Sequence, residues 1–141
     1  MLPRMANAPV ELIQKVPLFA DLDKRELKEV ADSMKERKFA AGDTVTEEGK
    51  GGAGFFVIDD GTAKVSVGGH DVRTIGAGDY FGEIGLIADI ERTATITAET
   101  DLRCYGMTLW DFRPLVESNA SIAWKLLVAM AQRLKEAEQG R

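Results

Sequence analysis

Gly76-Ala77-Gly78-Asp79-Tyr80-Phe81-Gly82-Glu83-Ile84-Gly85-Leu86-Ile87, followed by Glu91-Arg92-Thr93-Ala94-Thr95-Ile96-Thr97-Ala98, is the most informative part of this 141-residue chain. Gly76 to Asp79 has the composition of a tight turn closing a hairpin. Gly82 to Ile87 reads as one short helical turn leaving a strand, and its two glycines let the backbone approach a ligand closely. Amides at the start of such a turn have no partner within it and suit an anion. Arg92 then opens a strand, and its planar fork matches the oxygens of a phosphate. The carboxylate of Glu83 can accept hydrogen bonds from sugar hydroxyls. On spacing alone, the commoner reading of Glu83 and Arg92 is a solvated ion pair worth ~0–1 kcal/mol. The glycine turn has neither the third glycine of a dinucleotide fold nor the Gly-Lys-Ser/Thr of a P-loop.

Outward from this segment, residues 36–109 consist of short β-rich runs, each ended by glycine. Thirteen of the fourteen glycines fall between positions 42 and 106. Threonines alternate with Ala94, Ile96 and Ala98, and turn signals recur at about the spacing of an antiparallel sandwich or barrel. Helical periodicity occupies the flanks. Over 10–35, Val10, Leu12, Ile13 and Val16 precede the interruption at Pro17. Asp23 and Glu26 then have capping-box spacing ahead of Leu27, Val30, Ala31 and Met34. Over 110–138, Thr108 is read as the N-cap of a short helix ending near Asn119. A longer helix from about Ser121 carries Ile122, Leu126, Met130 and Leu134 in one stripe. The expected fold is mainly β with flanking helices (α+β), an antiparallel β-roll or jelly roll with N-terminal helices and a C-terminal helix pair. Residues 1–141 are read as one domain, with 1–9 expected to be flexible.

Phe81-Gly82-Glu83-Ile84, then Leu86-Ile87, a short loop and Arg92-Thr93-Ala94-Thr95 with Ala98, is similar to the phosphate-binding cassette of cyclic nucleotide-binding domains. Phe39 to Asp43, Glu48-Gly49, Phe55 to Ile58 and Gly61 resemble the early strands and turns of that family. The resemblance runs over roughly residues 10 to 138. It implies that Glu83 binds the ribose 2′-hydroxyl and that Arg92 neutralises the cyclic phosphate of cAMP or cGMP. It further implies amide donors at Ile84 and Gly85, close approach at Gly82, and Thr93 and Ala94 beside the phosphate. Val72 and Phe81 are either walls near the purine or core side chains. Leu134 would cover the base, with Ala137 and Glu138 where relatives carry hydroxyl residues late in the long helix. Glu91 stands where kinase domains usually carry proline.

Composition narrows the alternatives. A net charge of −5 without a basic run gives no footprint for nucleic acid. No apolar run approaches the ~18 residues of a membrane span. Cys104 is the only cysteine, which fits a reducing cytoplasm and excludes an internal disulfide. His70 is the only histidine and is read as a loop residue, so neither a metal site nor catalysis is expected. No cofactor beyond the nucleotide is expected. Trp110 and Trp124 are read as core or interface residues. The apolar long helix either packs on the roll or pairs with a second copy to make a homodimer. The expected function is a non-catalytic cyclic nucleotide sensor, in which ligand shifts the C-terminal helix and so signals to an unknown effector. The alternatives are a sensor fragment of a larger regulator or a roll sensing another anionic metabolite.

Overall fold

Phe55-Phe56-Val57-Ile58 is apolar at every position because its strand is buried on both faces, and the fold is organised around it. In the computed structural model, which describes residues 7–50, 54–88 and 91–140, this run begins strand β3 (Phe55–Asp60). The other strands are β1 (Lys35–Phe39), β2 (Thr44–Thr46), β4 (Ala63–Val67), β5 (His70–Ile75), β6 (Tyr80–Phe81), β7 (Thr95–Ala98) and β8 (Leu102–Met107). They form two antiparallel sheets, ordered β1-β8-β3-β6 and β2-β7-β4-β5. Among the described residues four α-helices flank them: α1 (Val10–Gln14), α2 (Lys24–Asp32), α3 (Leu109–Glu117) and α4 (Ala120–Gln139). This is the β-roll with N-terminal helices and a C-terminal helix pair that the periodicity implies.

Side chains of β3 alternate between two cores. Phe56 and Ile58 enter the roll and meet Ala63, Val65, Ile96, Leu102 and Cys104 of other strands. Phe55 and Val57 face the helices and join Ile13, Phe19, Leu27, Phe112 and Ile122. Phe19 is the hinge of the second core, edge-on to Phe55 at 5.8 Å and tilted against Phe112 at 6.2 Å. Cys104 is fully buried inside the roll, and desolvation pushes its thiol up to about 12, so it is an inert core residue.

Local signals explain most helix boundaries. Asp23 caps α2 as its spacing implies, accepting from the Glu26 amide while Glu26 accepts from the Asp23 amide, both at 2.9 Å. Thr108 caps α3 in the same way with Asp111. Asn119 does not close α3 but opens α4, its side chain accepting from the Ile122 amide at 3.2 Å. The turn from Gly76 to Asp79 does not close a hairpin either. It carries the chain from β5 in one sheet to β6 in the other and is bonded to β3 through Gly78 and Asp79. Of the lead 1–9, residues 1–6 lie outside the described residues. Exposed Asn7 bridges to Lys35, and Ala8 is buried, its amide donating to the Ala31 carbonyl of α2.

Two contacts tie the first half of α4 to α2. Lys125 Nζ donates to Glu26 Oε1 at 2.5 Å, and Asn119 donates to Glu29 at 3.1 Å. Burial alone would raise the Glu26 carboxyl, but Lys125, the Asp23 amide and Ser121 outweigh it and lower the carboxyl from 4.5 to about 2. A depressed carboxyl contributes stability above the unfolded value and loses it as pH falls through the folded one. Chemical denaturation at stepped pH should therefore show stability falling between about pH 4.5 and 2. Glu26→Gln should be less stable than wild type at neutral pH, with the difference closing over that interval.

Candidate ligand-binding site

Gly82 to Gly85 and Glu91 to Ala94 lie against the roll so that a cavity of about 520 Å³ is left between them. Its walls come from β6, from a single tight helical turn at Glu83–Leu86, from the lead-in to β7 and from the inner faces of β4, β5 and β7. Gly82 enters that turn with φ +85°, a conformation open to glycine at little cost. A Cβ there would lie 2.5 Å from the Gly54 carbonyl oxygen and run into the Arg92 guanidinium. Glycine at 82 is thus required twice, by the backbone and by the arginine behind it.

Arg92 is held from several directions. Its amide donates to the Lys50 carbonyl and its carbonyl accepts from the Gly49 amide, both at 2.9 Å. Its Nη2 donates to the Gly54 carbonyl oxygen. Among the described residues no carboxylate is in ion-pair contact with Arg92. Burial pulls the guanidinium below its ordinary value, with Glu83 acting weakly in the other direction. A half-buried cation without a carboxylate in contact, opening on a cavity, has the chemistry to accept an anion.

Glu83 begins the helical turn and lines the same cavity. Its Oε1 accepts from Arg133 Nη2 of α4 at 2.7 Å. That bond is the main cause raising the Arg133 guanidinium above its ordinary value. Arg133 Nη1 is buried and has no partner among the described residues. The Gly85 amide donates to the Gly82 carbonyl at 3.0 Å and is already engaged, unlike those of Glu83 and Ile84, which have no acceptor within their turn.

Gly82, Glu83, Ile84, Gly85, Arg92, Thr93 and Ala94 all line this cavity, as does Phe81, which is also core, stacked on Phe56 at 5.3 Å. The base-side expectations fare differently. Val72 lies on the outward side of β5, 57% exposed, and does not line the cavity. Leu134, Ala137 and Glu138 lie along the exposed distal half of α4 and also stay out of it. The side chain of α4 that enters the cavity is Arg133, the residue before Leu134. Arg73 of β5 and Thr46 of β2 line the cavity too, and neither is picked out by the motif. His70 is exposed at the β4–β5 tip, and Trp110 and Trp124 are exposed. Among the described residues no group of three His, Cys, Asp or Glu is placed to hold a metal, and no helix is long and apolar enough to cross a membrane.

Fold and cavity together define a ligand-binding β-roll. The chain belongs to the cyclic nucleotide-binding domain family, whose profile, described as "Cyclic nucleotide-binding domain", matches residues 36–119. It is 34% identical over 111 residues to the cAMP-dependent protein kinase type II regulatory subunit of Drosophila melanogaster, covering 79% of this chain and 29% of that protein. The chain therefore spans less than a third of that relative's length. The N-terminal domain of a transcriptional regulator from Streptomyces coelicolor A3(2) superposes with a TM-score of 0.85 at 30% identity, covering 91% of this chain and 95% of that one. The Thermus thermophilus catabolite activator protein superposes with a TM-score of 0.70 at 25% identity, covering 88% and 61%.

Substituting Gly82 should damage fold and site together. Gly82→Ala should cost at least about 1–2 kcal/mol from the left-handed backbone alone. Denaturant unfolding measures that loss. The clash should also displace Arg92, so whatever anion the wild type binds should bind the variant far more weakly.

Proposed function

We propose that this chain is a non-catalytic sensor module that binds cAMP or cGMP in the cavity between the cassette and the roll. The observation that carries the proposal is Arg92, a half-buried guanidinium with no carboxylate in contact, facing a cavity that also holds Glu83. The cyclic phosphate would take Arg92, and the ribose 2′-hydroxyl would donate to Glu83. Relatives in kinase regulatory subunits and transcription regulators support a role in signalling to a separate effector.

Arg133 gives the signal a physical route. A ribose on Glu83 competes with Arg133 for the same carboxylate. Through Lys125 and Asn119 the first half of α4 stays fixed to α2, so loss of the Arg133 bond frees the distal half. Binding then biases a two-state arrangement of α4.

Thermal unfolding and hydrogen exchange with cAMP, cGMP and AMP test both parts. Ligand at 100 times its Kd adds ~2.7 kcal/mol, which for this size raises Tm by roughly 6–10 °C. The rise should occur with a cyclic nucleotide, be absent with AMP and vanish in Arg92→Ala. Exchange over residues 130–139 should increase on binding, and Arg133→Ala should show that increase without ligand and bind severalfold tighter. Unchanged exchange on binding would remove the helix shift from the mechanism.

A second reading concerns assembly. Trp124, Leu127 and Leu134 of α4 are 68%, 63% and 62% exposed. With Ala131 they follow the alternating three- and four-residue spacing of a coiled-coil seam. We propose that this seam pairs with a second copy. Light scattering should give a dimer mass for the wild type and a monomer mass for Trp124→Glu.

A further inference from the structure

Six charged side chains line the cavity, and their signs balance: Arg73, Arg92 and Arg133 against Asp79, Glu83 and Glu91. Two of the carboxylates are engaged. Glu83 accepts from Arg133 at 2.7 Å, and Asp79 accepts from the Gly76 amide at 2.8 Å. Among the described residues Glu91 makes no ion pair. The carboxylate that acts on the Arg92 guanidinium is Glu83, so Glu91 is not its counter-ion.

The backbone of Glu91 is nonetheless fixed. The peptide joining it to Arg92 donates from the Arg92 amide to the Lys50 carbonyl at 2.9 Å, and the two Cα atoms stand ~3.8 Å apart. An exposed, unpaired carboxylate is thereby held at the mouth of the cavity, next in the chain to the cation that faces it. Tyr80, the remaining titratable group on the wall, is pushed above its ordinary value of 10.0 by burial and by Glu83, so it adds no charge near neutral pH.

Resting on the nucleotide reading above, the phosphate meets Arg92 with Glu91 beside it. We propose that Glu91 makes the cavity selective for singly charged phosphodiesters over doubly charged phosphomonoesters. A cyclic phosphate carries one negative charge, whereas a 5′-monophosphate carries close to two above its second pKa of about 6. Three cations set against three carboxylates leave no net positive charge for a second one. In a given potential a dianion has twice the energy of a monoanion, so the factor by which Glu91 weakens the first is the square of its factor for the second. A carboxylate at a solvated rim supplies a factor of about two per ligand charge.

Titration at about pH 8 and low ionic strength tests this with cAMP, AMP and the methyl ester of AMP, a linear nucleotide with a single charge. The matching guanine series replaces these if cGMP binds more tightly. Glu91→Gln should strengthen cAMP and the methyl ester about twofold and AMP about fourfold. Glu91→Lys should strengthen them about fourfold and about sixteenfold, and salt should shrink every gain. At about pH 5, where AMP is mostly singly charged, its gain should equal that of the methyl ester. The proposal fails if all three ligands change by the same factor at pH 8, or if the methyl ester follows AMP and not cAMP. It fails too if AMP stays undetected in every variant. If no nucleotide binds wild type, the nucleotide reading itself falls; if cAMP binds and AMP tracks it through all variants, only the role of Glu91 is removed.

Discussion

A guanidinium taken halfway out of water without a counter-ion is costly, and the arrangement around Arg92 follows from keeping it there. The strand-leading residue is clamped by main-chain bonds to the turn at Gly49 and Lys50. One donor is consumed by the Gly54 carbonyl, which itself sits where a Cβ on Gly54 would strike the Met107 carbonyl oxygen at 2.7 Å. Gly82 must lack a side chain so that the cassette can close over the cation. Three glycine-dependent turns from distant parts of the sequence thus converge on one charged group, and the cavity is what their convergence leaves open.

The two cores divide the remaining tasks. The inner core of the roll fixes β4 and β7, and so the floor of the cavity, through fully or nearly fully buried Ile58, Ala63, Val65 and Ile96. The outer core joins β3 and β8 to the helices. Leu86, the last residue of the cassette's helical turn, belongs to the outer core, whereas Phe81 just before the cassette belongs to the inner one. The cassette is therefore spliced between two packed bodies and cannot shift against one without disturbing the other.

Much of this was legible in residues close together in sequence. The capping box at Asp23, the N-cap at Thr108, the apolar β3 run and the Gly82–Arg92 motif are each local signals, and they place the helices, the central strand and the cassette. What was not legible depends on tertiary placement. Arg133 meets Glu83 only because α4 passes over the cassette, and no spacing rule links residues that far apart. Arg73 could be put on the inward side only once the β4–β5 register was known, since a slip of one residue would have turned Val72 inward instead. Gly76 to Asp79 has hairpin composition, yet the same residues serve a crossover between sheets, because turn chemistry specifies a reversal and not the strands it joins.

The Lys125–Glu26 anchor makes α4 a lever with a fixed fulcrum near its first third. With a rise of 1.5 Å per residue, Arg133 lies ~12 Å beyond the fulcrum and Gln139 ~21 Å beyond it. A rigid tilt that moves Arg133 by a given distance moves Gln139 by about 1.7 times as much. In the proposed switch, a displacement on the scale of one broken hydrogen bond at the cassette would be magnified at the far tip of the helix. The fulcrum itself is an ion pair whose carboxyl is lowered to about 2, so it stays charged well below neutral pH.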